Sequence, residues 1–276
     1  MKSIHLTFRV SHAQIPLNYH HEVQSMIYTT LKEIGGSGEK WHDHERMPGA
    51  NYKYFTFSSL RGNRRKSERK NNQLHFISRV YLDIRSADES LSNDLILAFS
   101  KKKQYKLFNQ SLILDGLSWE NPQISSDILR IQMLSPLTIH RKQDDRYTDF
   151  SSPFDTEFSC TGRTMKKFKK TYYYSPFDAE FSDKLNNNFI DKYTAFTGNL
   201  PDGNIRVVPQ KIKPADKYVT HYRKIDAETK EEIEIIINAW RGIYILSGNP
   251  EHLNFLYYCG LGARNSAGFG MFEVIK

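Results

Sequence analysis

Cysteine is almost absent: two residues in 276, Cys160 and Cys259, lie far apart in the chain. Such a pair builds neither a disulfide framework nor a zinc knuckle, and it fits a reducing, cytoplasmic setting. Long apolar runs are missing too. None approaches the ~18 residues of a membrane span, so no transmembrane helix and no membrane partner are expected. The opening MKSIHLTFRV alternates polar and apolar residues and has no apolar h-region, so no secretory leader is expected. Hydrophobic residues reach 39%, below the usual ~45–50%, although that index leaves glycine out. Two glycine-based nucleotide signatures are also lacking. No Gly-Lys-Ser/Thr opens a helix, and no glycine cluster follows a strand and precedes a helix.

What the chain does have is aromatic and cationic. Tyrosine (16) and phenylalanine (17) are abundant, and the formal net charge is +8. Excess positive charge favours a polyanionic partner. The charge is clustered. RGNRRKSERK (61–70) holds six basic residues and one acid, among them Arg64 and Arg65. RTMKKFKKTYYY (163–174) holds five basic residues, four aromatics and no acid, with Lys166, Lys167, Lys169 and Lys170 at its centre. Rings on which bases stack, interleaved with cations that meet phosphates, suit a groove for single-stranded nucleic acid.

The periodicity reads as two similar halves. Ile4, Leu6, Phe8 and Val10 alternate as a half-buried strand, and Val23, Met26, Ile27, Leu31 and Ile34 form one helical stripe, stopped by Gly35-Gly36. KYFTFSSL (53–60) and LHFISRVYLDIR (74–85) read as strands joined by the basic loop. A helix over about 89–102 and a strand through SLILDGL follow. That order, β-α-β-β-α-β, is the ferredoxin-like arrangement. The second half repeats it with a strand at 128–139, a helix from Ser182 stopped by Gly198, strands at NIRVVPQKIK, KYVTHYRKI and EIEIIINAWRGIYIL, a helix opened by Pro250 and a last strand. The expectation is an α+β protein of two tandem ferredoxin-like (RRM-like) domains, 1–125 and 126–276. The second carries a polar insertion at about 140–180. Within it SPFDTEFS (152–159) and SPFDAEFS (175–182) agree at seven of eight positions. These read either as a duplicated hairpin or as the two ends of an RNA-contacting arm.

One stretch decides between the readings: GLGARNSAGFG, residues 260–270, with a helix before it and a strand after it. Gly-hydrophobic-Gly, five residues including a base, then Gly-hydrophobic-Gly again, at this place in a tandem ferredoxin-like chain, resembles the glycine-rich loop of the CRISPR repeat-processing endoribonucleases, the Cas-six group of the RAMP superfamily. IPLNYHHEVQSMIYTTL, WHDHER, YKYFTFSSL, SPLTI and NNNFIDKY resemble further segments of that family, so the likeness spans nearly the whole chain. Two features depart from it: the duplicated insertion, and two histidines where the family has one.

The resemblance implies a metal-independent, cofactor-free endoribonuclease that cuts CRISPR precursor RNA within its repeats. The implied chemistry is attack by a ribose 2′-OH, leaving a 2′,3′-cyclic phosphate and a 5′-OH. Such a reaction needs a base, an acid and a cation for the phosphorane. His42 matches the family's histidine, with His44 close behind it and facing the same way in an extended chain. Tyr28 matches a tyrosine that some members place opposite the histidine, and Lys53 a phosphate-stabilising lysine. Gly260, Gly262, Arg264, Asn265, Gly268 and Gly270 would contact RNA through bare amides and the arginine; the plainer reading is a tight turn needed for packing. His20 and His21 read as capping or surface residues. His42 and His44 have metal-pair spacing but no evident third ligand, so no metal is expected. The implied partners are repeat RNA, single-stranded or hairpin, and a CRISPR effector complex, around a monomer or homodimer. A catalytically inactive RNA-binding subunit of such a complex is the alternative, and a generic single-strand-binding module a third reading.

Overall fold

A computed structural model describes residues 1–34, 52–64, 73–142, 171–225 and 232–276. Seven strands make the first sheet: β1 (Lys2–Arg9), β2 (Ala13–Pro16), β3 (Phe55–Phe57), β4 (Arg61–Arg64), β5 (Gln73–Ser86), β6 (Gln104–Leu107) and β7 (Gln110–Glu120). β1 lies in the middle, antiparallel to β5 on one side and to β7 on the other. Its alternation is what places it there. Ile4, Leu6 and Phe8 point inward opposite Ile84, Leu82 and Val80, and all six are buried.

Helix α1 (His20–Lys32) covers this sheet with the expected stripe, Val23, Met26, Ile27 and Leu31, all buried. Helix α2 (Glu89–Ser100) begins where the side chain of Asp88 accepts from the Leu91 amide at 3.0 Å, an N-cap. It buries Leu91, Leu95 and Phe99. With β3 and β4 both pairing with β5, the order of the essential strands is β7-β1-β5-β3/β4. The sequence of elements is β-α-β-β-α-β.

Residues 121–127 contain no helix or strand and lead into β8 (Ile128–Met133). A short ladder of β9 (His140–Lys142) and β10 (Thr171–Tyr173) precedes helix α3 (Phe181–Thr197). Gly198 closes α3 in a left-handed conformation, φ 77°. Then come β11 (Arg206–Lys211), the paired ribbon β12 (Lys217–Ile225) and β13 (Glu232–Trp240), β14 (Ile243–Ser247), helix α4 (Pro250–Cys259) and β15 (Phe272–Val274). The second sheet runs β11-β14-β8-β15. Without the ribbon, β8-α3-β11-β14-α4-β15 repeats the topology of the first half. The chain is two tandem ferredoxin-like folds.

Three strand expectations change. EIEIIINAWRGIYIL is two strands, because Gly242 at φ 122° turns the chain between Trp240 and Ile243. β13 leaves the sheet to pair with β12, while β14 stays in it. The strand expected at 128–139 ends at Met133, and that expected at 53–60 spans only Phe55–Phe57.

Helix α4 faces the first half of the molecule as well as its own sheet. The guanidinium of Arg85, on β5, stacks over the Tyr257 ring at 3.7 Å and donates to the Phe272 carbonyl. Arg85 is 4% exposed, so this cation joins the two sheets from within.

Candidate functional site

The glycine-rich loop starts where α4 stops. Gly260, Gly262, Gly268 and Gly270 all have positive φ, between 73° and 88°, and all four are buried. At all four a Cβ would stand within 2.6 Å of the protein's own atoms, and two are the tightest. A Cβ on Gly268 would stand 2.3 Å from the Phe57 ring, and one on Gly270 would stand 1.9 Å from the Leu261 carbonyl oxygen. The bare backbone therefore approaches the protein itself.

Beside the expectation that these amides face RNA, the structure pairs three of them within the protein. Gly260 N–H donates to Leu256, Gly268 N–H to Asn265 and Gly270 N–H to Pro136, at 2.8–2.9 Å. A donor already paired with a buried carbonyl is not free for a phosphate. Asn265 is likewise an internal brace: its Nδ2 donates to Leu261 O (3.1 Å) and Phe269 O (3.0 Å). Arg264 alone of this set combines a cationic side chain with partial exposure. It adopts a left-handed conformation, φ 57°.

What the loop packs against is the informative part. Thr56 on β3 donates from Oγ1 to the Phe269 carbonyl at 3.0 Å, and the Phe57 ring fills the space that Gly268 leaves open. The Phe269 ring stacks on His20, the first residue of α1, with centroids 5.0 Å apart and planes at 16°. The loop thus seats the start of α1 and the whole of β3. Tyr28 is two turns along α1, and the edge of its ring meets Phe55 at 5.9 Å. Lys53 stands two residues before Phe55, just ahead of β3, and is half-buried. Of the four proposed catalytic residues, Tyr28 therefore sits on an element that the glycine-rich loop holds and Lys53 just ahead of the other.

Beneath the loop lies a residue that the sequence reading did not single out. Lys192 of α3 is 2% exposed, yet its Nζ donates to Gly260 O (2.9 Å), Gly262 O (2.9 Å) and Asn265 Oδ1 (2.7 Å). All three ammonium protons are used. Burial lowers its pKa from the ordinary lysine value. The sequence signal was present but weak: NNNFIDKYTAF puts a lysine beside Tyr193 on the apolar side of the helix, where a base is unusual.

His20 corrects another expectation. It is neither a side-chain cap nor a surface residue but is 1% exposed, stacked on Tyr19 (4.7 Å) as well as Phe269. The Tyr218 hydroxyl lies 3.4 Å from its Nδ1. Burial, and then the charge of Arg241, lower its pKa to about 3, so it is a neutral ring at physiological pH.

His42, His44, Arg65, Lys166, Lys167, Lys169 and Lys170 lie outside the described residues. Arg64 closes β4, its backbone paired with Phe76. Among the described residues, no group of three or more His, Cys, Asp or Glu side chains converges as a metal site requires.

A polar cleft of about 560 Å³ separates the sheets on another side, lined in part by His5, Arg61, Asp83, Arg85 and Glu120. Its cations are already engaged. Arg61 pairs with Asp83, and His5 bridges Asp83 (3.0 Å) and Glu120 (3.4 Å). The hydrogen bond to Asp83 raises the His5 pKa above its ordinary value, against the opposing effect of burial.

Comparison with known proteins bears out the family likeness. Residues 159–274 match the family model described as "CRISPR associated protein Cas6, C-terminal". The CRISPR-associated endoribonuclease Cas6 of Haloferax mediterranei is 24% identical over 98 residues, 35% of this chain. The chain matches about a third (36%) of that relative's length. Among solved structures, one titled a RAMP protein binding different RNA substrates superposes with TM-score 0.75 at 18% identity, covering all of both chains. A Cas6-related protein from Pyrococcus furiosus superposes with TM-score 0.73 at 18% identity, covering 99% of this chain and 98% of that one. At these identities the structures establish the tandem fold.

Proposed function

We propose, from the premise that the C-terminal part of this chain is a Cas6 domain on a tandem ferredoxin-like fold, that the protein is an endoribonuclease that cuts CRISPR precursor RNA within its repeats. The observation that carries this reading is the seating on the glycine-rich loop of α1, which bears Tyr28, and of β3, which Lys53 precedes by two residues. A phosphoryl-transfer site needs its groups held on rigid elements, and this junction holds two of them.

The proposed reaction uses protein side chains and no metal. A base removes the proton of the 2′-OH, the 2′ oxygen bonds to the adjacent phosphorus, and the bond from phosphorus to O5′ breaks. An acid returns a proton to the departing O5′, so the products are a 2′,3′-cyclic phosphate and a 5′-OH. His42 transfers protons, with His44 its neighbour in the same role, because imidazole titrates near neutrality. Tyr28 is the second proton carrier. Lys53 supplies positive charge where the phosphorane develops it. Arg264 and the basic segments around Arg64, Arg65, Lys166, Lys167, Lys169 and Lys170 bind the phosphate backbone.

Incubating the protein with repeat RNA and with a scrambled strand of the same composition, both in EDTA, tests this reading. It requires shorter products from the repeat alone. Binding without cutting would favour a silent RNA-binding subunit of an effector complex. Equal binding of both strands without cutting would favour a generic single-strand module.

A further inference from the structure

The buried ammonium of Lys192 is costly and needs a reason. An unpaired charge taken out of water costs several kcal/mol or more, unless its protons are satisfied. Here they are satisfied by two loop carbonyls and one amide oxygen, with no carboxylate among the three partners. One of those carbonyls belongs to Gly260, the C-cap of α4, where the helix dipole is negative. The charge sits at that helix end, inside the curve of the loop.

Three connections lead outward from it. Asn265 accepts from Lys192 and donates to the Phe269 carbonyl. The same carbonyl accepts from Thr56 on β3. The Phe269 ring lies on His20 at the start of α1. A continuous set of contacts thus runs from the ammonium, through Asn265 and Phe269, to α1, which carries Tyr28, and to β3, just after Lys53. A methionine would fill much the same volume without the charge, so packing alone does not call for a lysine.

We propose that Lys192 is a positioning residue: its buried ammonium fixes the shape of loop 260–270, and the loop in turn fixes β3 and α1 relative to the RNA backbone. This rests on the functional reading above for its consequence, and on geometry alone for its mechanism. The two are separable by experiment.

The variants are Lys192→Met, which removes the charge at similar volume, and Asn265→Asp. The latter keeps the acceptor for Lys192 but loses both amide donations to the loop, and it is the milder change if Lys192→Met fails to fold. Amide hydrogen exchange is followed in peptides covering 53–57, 260–270 and α2 (89–100). Exchange in the first two should accelerate about 10-fold or more, the factor a lost charge-assisted hydrogen bond carries, with α2 unchanged. On repeat RNA, the single-turnover cleavage rate should fall about 10-fold or more while the dissociation constant moves less than about 3-fold, since a misplaced group costs rate before affinity. Unchanged exchange at 53–57 in the folded variants, or an equal rise in all three peptides, would overturn the proposal. So would a loss of affinity as large as the loss of rate. A wild-type protein that leaves repeat RNA uncut would sink the functional reading alone, and the exchange data would still decide the role of Lys192.

Discussion

At the scale of single residues, the glycine-rich loop shows how one motif carries two messages. Its spacing pointed to the family whose C-terminal model matches residues 159–274, and close approach to RNA is the reason read from it. The approach is to Phe57 and Leu261, partners distant from or folded back on the loop, and no local pattern names them. Gly268→Ala should therefore destabilise the fold by about 2 kcal/mol or more, from left-handed strain plus overpacking against Phe57. The urea midpoint of the variant checks this, and an unchanged midpoint would return the glycine to an RNA-facing role. His20 was hidden for the same reason: its burial comes from Phe269 and Tyr218, remote in sequence. Its folded pKa, about 3, lies below the unfolded value of 6.5, so the unfolded state binds the proton more readily. Its contribution to stability is then present above pH 6.5 and is lost as pH falls toward 3. His20→Phe, which keeps the ring, should flatten the stability profile between pH 6 and pH 4, measured by urea unfolding at each pH. Of the proposed proton carriers, His42→Ala should slow single-turnover cleavage by about 10²-fold with little change in affinity, and His44→Ala should cost less. A double variant that cuts at the wild-type rate would move the search to Tyr28 and Lys53.

At the scale of elements, helices and central strands were legible and connections were not. α1 and α3 each declare a 3.6-residue stripe, Gly198 stops α3, and Pro250 marks the start of α4. β1 alternates because its Ile4, Leu6 and Phe8 face the core. The ribbon β12–β13 escaped because EIEIIINAWRGIYIL carries isoleucines and aromatics on both sides of Gly242, and period alone does not say which sheet a strand joins. The link between the two sheets was equally illegible, since it depends on Arg85 meeting Tyr257 and the Phe272 carbonyl far along the chain. Arg85→Met should lower stability by about 2–4 kcal/mol, as expected for a buried hydrogen-bonded charge whose carbonyl partner is left unpaired. If Arg85 couples the two folds, the single unfolding transition should also separate into two by calorimetry. One sharp transition at the wild-type midpoint would show the coupling to lie elsewhere.

At the scale of the whole molecule, the account joins a basic tandem fold to a reaction on an RNA backbone. The net charge of +8 and the basic segments supply attraction to phosphates without sequence information. The proposed chemistry depends on one oxygen of the substrate, the ribose 2′-OH upstream of the cut. The most direct measurement uses two repeat RNAs in EDTA, one entirely ribose and one with a single 2′-deoxy nucleotide just upstream of the cleavage point. The account predicts that the first is cut to a fragment ending in a 2′,3′-cyclic phosphate, and that the second binds with similar affinity and stays intact. Cleavage of the deoxy strand, or a 3′-hydroxyl on the product of the first, would contradict it.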